Sequence, residues 1–223
     1  MHDAPRLRGG PVARLVALFA GLAIFAAGIV ALVQSGLGAP PWDVLHLGIA
    51  AHSPLSLGVS VIVVGLAVLV VAWLMGLPQG FGTVANAIVI GLTVDALLRW
   101  RWVQDLIGLP LAGRAGLVVV GIALFGVGSA FYIGAGFGAG PRDSLMLGLS
   151  LRTGWRIGLV RAVLEVSVLV IGLALGGTAG VGTLAMALSV GPVVEASFWV
   201  LVRLDLAEPG PGAGRVTPAS PAA

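Results

Sequence analysis

Eight side chains have the type and placement to do chemistry in a nonpolar setting: Asp43, Asn86, Asp95, Arg142, Asp143, Arg161, Glu165 and Glu195. Each lies in or beside an apolar run, where an ionised group costs roughly 2.5–3.5 kcal/mol at a helix centre on insertion scales. A carboxylate kept there suits a proton, a cation or a polar solute, and an arginine suits an anionic group. Asp43 and Asp143 follow Pro41 and Pro141 by two positions, in the first turn of two short predicted helices. The expectation is that they face each other and bind a cation or proton, or that Arg142 and the two helix N-termini receive an anionic group. The alternative is that each Asp caps its own helix by accepting from free N–H groups.

Asp95 and Glu195 stand about two-thirds along the last helix of each half. They are candidate proton-relay or ion-coupling carboxylates; the alternative puts them at the water interface, Asp95 pairing with Arg99 four residues on. Arg161 and Glu165 share a helix face as an ion pair, and the matching first-half positions hold Val61 and Gly65. That asymmetry singles the pair out. Asn86 either contacts a ligand or hydrogen-bonds a neighbouring helix. His46 and His52 are six apart, a poor spacing for two metal ligands on one helix face, and no HExxH occurs. No metal site and no cofactor are expected.

The elements that position these groups must be lipid-embedded. Of 223 residues, 58% are hydrophobic and 9% charged, and mean hydropathy is +1.09. A soluble domain carries about 25% charged residues, so there is too little charge here to cover a water-facing surface. The apolar residues fall in long runs rather than a 3.6-residue stripe, as lipid requires. All twelve basic residues are Arg, which excludes Lys chemistry such as a P-loop or a Schiff base. With no Cys there is neither disulfide nor thiol nucleophile. G-x-S-x-G and G-x-G-x-x-G signatures are also missing, so no enzyme is expected. The pI near 11 does not point to nucleic acid, because the Arg residues cluster at the ends of apolar spans, where they set membrane orientation.

A shift of one hundred residues aligns the chain with itself without a gap. Gly36, Gly38, Pro41 and Asp43 match Gly136, Gly138, Pro141 and Asp143; Gly80, Gly82 and Thr83 match Gly180, Gly182 and Thr183; Arg14, Gly21 and Gly28 match Arg114, Gly121 and Gly128; Asp95 matches Glu195. Composition alone does not place Arg, Pro, Asp and Thr in one ungapped frame, so the sequence reads as a tandem duplication. Because the first apolar run recurs inside the chain, it is not read as a cleavable signal peptide.

Each half predicts a long helix (12–33 and 116–133), a Gly/Pro-rich break (34–41 and 134–141), a helix of about 11 residues (41–51 and 141–151) and two further spans (57–75 and 83–98; 157–175 and 183–202). The expected fold is an all-α polytopic membrane protein of two tandem repeats of about 100 residues. Each repeat has three spanning helices and one short re-entrant or broken helix. An odd number of spans inverts the second half, as in many secondary transporters. With the N-terminus inside, nine Arg lie inside and Arg99, Arg101 and Arg114 outside. The alternative of four helices per repeat, with parallel repeats, leaves only Arg142 outside but requires the short segments to span. The domain reading is a disordered tail 1–10, repeat 11–98, an amphipathic linker 99–113 with Trp100 and Trp102, repeat 114–203, and a disordered tail 204–223.

The runs GLGAPPWDVLH (Gly36 to His46), GFGTVAN (Gly80 to Asn86), GAGPRDSLMLGL (Gly138 to Leu149), LRTG (Leu151 to Gly154) and GTAGVGT (Gly177 to Thr183) resemble the YczE family of bacterial integral membrane proteins, grouped near YitT-like proteins. The resemblance covers about residues 12–203. Asn86 and Arg161 fit its pattern, and Ser144 stands where Gly is more usual. It implies a bacterial plasma-membrane protein, multi-pass, and carries no activity over. The functional expectation is a secondary-transporter-like carrier of a small solute or ion, with a site at the repeat interface. The competing class is a non-transporting membrane scaffold or regulatory partner, and an intramembrane enzyme comes third. The expected partners are the lipid bilayer and an unidentified small solute or ion, with no nucleic acid; a homo-oligomer is left open.

Overall fold

The computed structural model describes residues 5–138 and 140–209 and has the all-α polytopic architecture read from the sequence. In chain order its elements are strand β1 (Arg6–Leu7), α1 (Pro11–Ser35), α2 (Pro41–Ala51), α3 (Leu57–Leu74), α4 (Phe81–Leu98), α5 (Arg101–Gln104), a 3-10 turn (Asp105–Gly108), α6 (Leu111–Gly134), α7 (Pro141–Thr153), α8 (Ile157–Ala174), α9 (Val181–Arg203) and strand β2 (Ala207–Glu208). Six of these helices, α1, α3, α4, α6, α8 and α9, are long and apolar enough to cross a membrane. The 11-residue α2 and 13-residue α7 rise roughly 17 and 20 Å at 1.5 Å per residue, short of the ~30 Å hydrocarbon core.

Local chemistry sets these boundaries. Pro11, Pro41 and Pro141 occupy the first turns of α1, α2 and α7, where a missing N–H is harmless. Gly36 and Gly38 (φ 58° and 116°) and Gly136 and Gly138 (φ 73° and 127°) take left-handed conformations that a side chain resists, so each long helix must stop there.

α1 and α6 pack antiparallel as the centre of the molecule. A Cβ on Gly21 would collide with the backbone at Gly128 and Tyr132, and one on Gly28 with Gly121 O and Phe125 N. These glycines bring the two backbones together, with the Phe25 and Phe125 rings 3.9 Å apart between them. Each helix also caps the other's end. Arg14 donates from Nε and Nη2 to Ala135 O at 2.8 and 2.6 Å, and Arg114 donates from Nε to Ser35 O at 2.6 Å. Cations on C-terminal carbonyls also complement the helix dipole. With only six of the described helices long and apolar enough to span, the helix lengths do not match the alternative of four spanning helices per half.

The breaks find their partners across the molecule. Gly182 N donates to Leu37 O at 2.8 Å, and Thr183 Oγ1 donates to Ala39 O at 2.7 Å. In the mirrored contact Gly82 N donates to Phe137 O at 2.9 Å, and a Cβ on Gly138 would meet Thr83 Oγ1 and Gly80. So the break after α1 lies on the α8–α9 turn, and the break after α6 on the α3–α4 turn. Irregular backbone is thereby covered by protein rather than lipid.

Three expectations are corrected. Residues 5–10 and 204–209 belonged to tails expected to be disordered, but β1 and β2 form a two-stranded antiparallel ribbon, Arg6 opposite Glu208 and Leu7 opposite Ala207. Leu7 and Ala207 bury against the bundle, and Arg8 pairs with Asp205 at 2.6 Å; two buried apolar contacts and a ladder outweigh a Gly/Pro-rich composition. Residues 1–4 and 210–223, and Ala139 in the second break, lie outside the described residues. The linker ends earlier than position 113, because Pro110 starts α6 at Leu111. Its Trp100 and Trp102 are exposed, with rings 5.8 Å apart.

Gly28→Val should overpack the α1–α6 contact by about 1–3 kcal/mol, lowering the thermal midpoint in detergent by about 2–4 °C per kcal/mol. Gly116→Val, at a site where an added Cβ meets nothing within 4 Å, should leave it within a degree or two. Thr183→Val should orphan the Ala39 carbonyl and cost about 1–3 kcal/mol, read by the same unfolding measurement.

Candidate functional site

α2 and α7 both begin at one cavity of about 270 Å³. Pro40, Pro41 and Trp42 border it from the first half, and Gly140, Pro141, Arg142 and Asp143 from the second. Between them lie Asn86 of α4, Ser129 and Tyr132 of α6, and Arg161 and Glu165 of α8. The remaining wall is apolar, with Phe25, Phe125 and Ile90 among it. A mostly apolar pocket with a few convergent polar groups is the usual form of a small-molecule site.

The charged groups are held differently. The Arg142 guanidinium sits over the Trp42 ring, 4.8 Å from its centroid, so the first turn of one short helix touches that of the other. Such a cation–π contact holds the charge without consuming its N–H donors. Asp143 stands in the first turn of α7 and borders the cavity. Arg161 Nε donates to Glu165 Oε1 at 2.9 Å, and the side chains keep 48% and 30% of their surface accessible. Asn86 lies beside Gly140: a Cβ there would come within 3.6 Å of both amide atoms and 3.5 Å of Asp143 Oδ2. The cavity thus gathers Asn86, Arg142, Asp143, Arg161 and Glu165 from three elements.

The other three candidates lie elsewhere. Asp43 does not line the cavity and does not face Asp143. It is fully enclosed and bonds its own helix neighbour, His46 Nδ1, at 3.0 Å. No backbone group of α2 is capped by its side chain, so neither expectation for Asp43 holds. Asp95 does not pair with Arg99. It ties α4 to the start of α3, accepting from the Ser56 hydroxyl and from Gly58 N at 2.8 Å. Glu195 is exposed on α9 and, among the described residues, makes no hydrogen bond or ion pair.

Sequence reasoning missed Trp42, Ser129, Tyr132 and the partnership of His46. A signal existed for the last three. Tyr132 is the chain's one tyrosine and stands three residues after Ser129 on one face of an apolar helix. His46 follows Asp43 by three, a helical-neighbour spacing.

The profile of a family described as "Family of unknown function (DUF6198)" matches residues 12–197. An uncharacterised protein of Haemophilus influenzae is 38% identical over 191 residues, covering 85% of this chain and 84% of its own. The uncharacterised membrane protein YczE of Bacillus subtilis is 32% identical over 204 residues, covering 86% and 89%. No solved structure matches the chain.

Asp43 Oδ2 and His46 Nε2 have no partner among the described residues. Asp43→Ala would leave a second imidazole nitrogen buried and unbonded, and should destabilise the protein by about 1–3 kcal/mol. The double variant with His46→Leu should recover part of that loss, with a coupling of about 0.5–3 kcal/mol in a thermodynamic cycle. Strict additivity would show that the pair does not interact.

Proposed function

The chain belongs to the family of unknown function DUF6198 and is an integral membrane protein, and from these premises we propose that it is a carrier for a small polar or charged solute or ion. The observation that carries the reading is the cavity itself: one space, bounded by the first turns of both interrupted helices and lined by Asn86, Arg142, Asp143, Arg161 and Glu165. Helices that start inside a membrane protein aim their N–H groups at whatever lies before them. In secondary carriers built from inverted halves, such helix starts converge on the solute.

The halves support the same reading. Their contacts come in pairs in which both partners shift by one hundred residues: Arg14 to Ala135 with Arg114 to Ser35, and Gly82 to Phe137 with Gly182 to Leu37. Combined with the ungapped self-alignment, this favours a duplicated and inverted unit. A scaffold has no need of charged side chains around an internal void, since each adds an insertion cost. The reading assigns no enzymatic step. The nine-to-three distribution of Arg favours a cytoplasmic N-terminus in a bacterial plasma membrane.

The solute must present both charge signs or hydrogen-bonding groups, because the cavity holds two Arg and two carboxylates. Asp43 and Asp95 take no part in binding; one is locked on His46 and the other on α3.

Purified protein in liposomes should move at least one member of a panel of amino acids, small carboxylates and monovalent cations faster than protein-free vesicles. Arg142→Gln or Asp143→Asn should slow that flux by roughly 10- to 100-fold, the worth of a charge-assisted hydrogen bond. Flux indistinguishable from protein-free vesicles across the panel would sink the carrier reading.

A further inference from the structure

The two halves share their residues at key contacts but not their conformation. In the first half, α3 and α4 pack along each other. Gly58 and Gly91 meet so closely that a Cβ on either would strike the other's carbonyl. Asp95 then clamps the seam by accepting from the Ser56 hydroxyl and Gly58 N–H. In the second half, α8 and α9 make no more than marginal contact. A Cβ on Gly158 or Gly191 would meet nothing within 4 Å. α8 begins at Arg156 without a side-chain cap, and Glu195 is exposed. Over an 18-residue stretch of each helix, 17% of α8 and 11% of α9 are buried, against 28% and 39% for α3 and α4. Both α8 (Arg161, Glu165) and α9 (Gly191, Val194) line the cavity, so the gap between them is its mouth.

We propose that the α3–α4 and α8–α9 seams are two gates on opposite faces of the membrane, and that this structure is the state with the first shut and the second open. The faces are opposite because Gly36, at the end of α1, lies against Arg114 and Ile107 on the linker side, and the end of α4 meets the same linker, its Leu98 carbonyl accepting from Gln104 Nε2 at 2.7 Å. The end of α9 instead lies with Leu7 against Gly134, at the other end of the α1–α6 pair. The proposal rests on the carrier reading for its purpose, since a cavity reached from alternate faces is what a carrier requires.

The closed gate is specified by the shut one. Gly158 and Gly191 are the counterparts of Gly58 and Gly91, and Glu195 of Asp95. Closure brings Gly191 onto Gly158 and the Glu195 carboxylate onto the Gly158 N–H. Arg156 stands where the first half has Ser56, so the closed second gate gains an ion pair in place of a hydroxyl contact. Glycines inside helices cost stability relative to Ala, and at 158 and 191 no packing in this state offsets that. α9 also has its means of movement: Pro192 lies inside it and leaves the Leu188 carbonyl without its helical donor, which softens the helix beside Gly191. A second copy of the chain seated on the gap is the rival occupant.

The chain has no Cys, so spin-label pairs can be placed freely. Val59, Ala96, Leu159 and Ala196 are all exposed and flank the two gates at matching heights. In lipid nanodiscs, labels on Val59→Cys/Ala96→Cys should report mainly a short distance. Labels on Leu159→Cys/Ala196→Cys should report two populations, the shorter one matching the first pair. Adding Glu195→Gln should reduce that short population by about tenfold. Gly191→Leu should abolish it; its side chain enters open space here, so the open state still folds. A single long distance for the second pair overturns the proposal, and an intermolecular signal from singly labelled protein would then place a second copy in the gap. A short population untouched by Glu195→Gln also overturns the assigned clamp. Two populations without flux in any liposome assay would leave the gates standing and remove the carrier, whereas flux with one fixed distance would do the reverse.

Discussion

A chain that interrupts a helix inside a membrane protein must give the freed N–H and C=O groups partners, because hydrocarbon offers none. Here that constraint is met across the molecule rather than locally. The break after α1 takes its bonds from the α8–α9 turn, through Gly182 and Thr183, and the break after α6 lies on the α3–α4 turn, through Gly82 and Thr83. Neither half can complete its own backbone. The requirement explains why the turns are Gly-rich: Gly80, Gly82, Gly180 and Gly182 admit the opposing chain where any Cβ would collide. It also explains why α2 and α7 both start next to one cavity, since each is delivered there by a break pinned to the other half.

Once the breaks are pinned, the rest of the core follows from close approach. α1 and α6 have no hydrophobic effect to drive them together in lipid, so packing and directed hydrogen bonds must do it. Four glycines supply the packing, and Arg14 and Arg114 supply the bonds by capping each other's helix ends. These two arginines also count toward orientation, so one residue type serves both topology and architecture.

The paired acids show how one motif can be put to two uses. Asp43 and Asp143 occupy equivalent positions, yet Asp43 is enclosed on His46 while Asp143 borders the cavity. The difference lies at the third residue on, His46 against Met146, because only a ring nitrogen can draw the carboxylate back along the helix. Asp95 and Glu195 diverge for another reason: the helix each could clamp is near in one half and apart in the other.

Most helix ends were legible in the sequence, because Pro at a helix start, left-handed Gly at its end and the length of an apolar run are local signals with local causes. The division into six long apolar helices and two short ones was legible too, through the lengths of the apolar runs. Of the candidate site, Asn86, Arg142, Asp143, Arg161 and Glu165 were legible, since a charged or amide side chain in an apolar run is conspicuous wherever it ends up. What the sequence by itself could not determine was direction and distance: that Asp43 turns to His46, that Asp95 reaches across to α3, that Trp42 receives Arg142, and that residues 6–7 find 207–208. Each depends on which surfaces meet between segments far apart in the chain. Only the tertiary structure decided those meetings, because they follow from the packing of α1 on α6 and of each break on the opposite half.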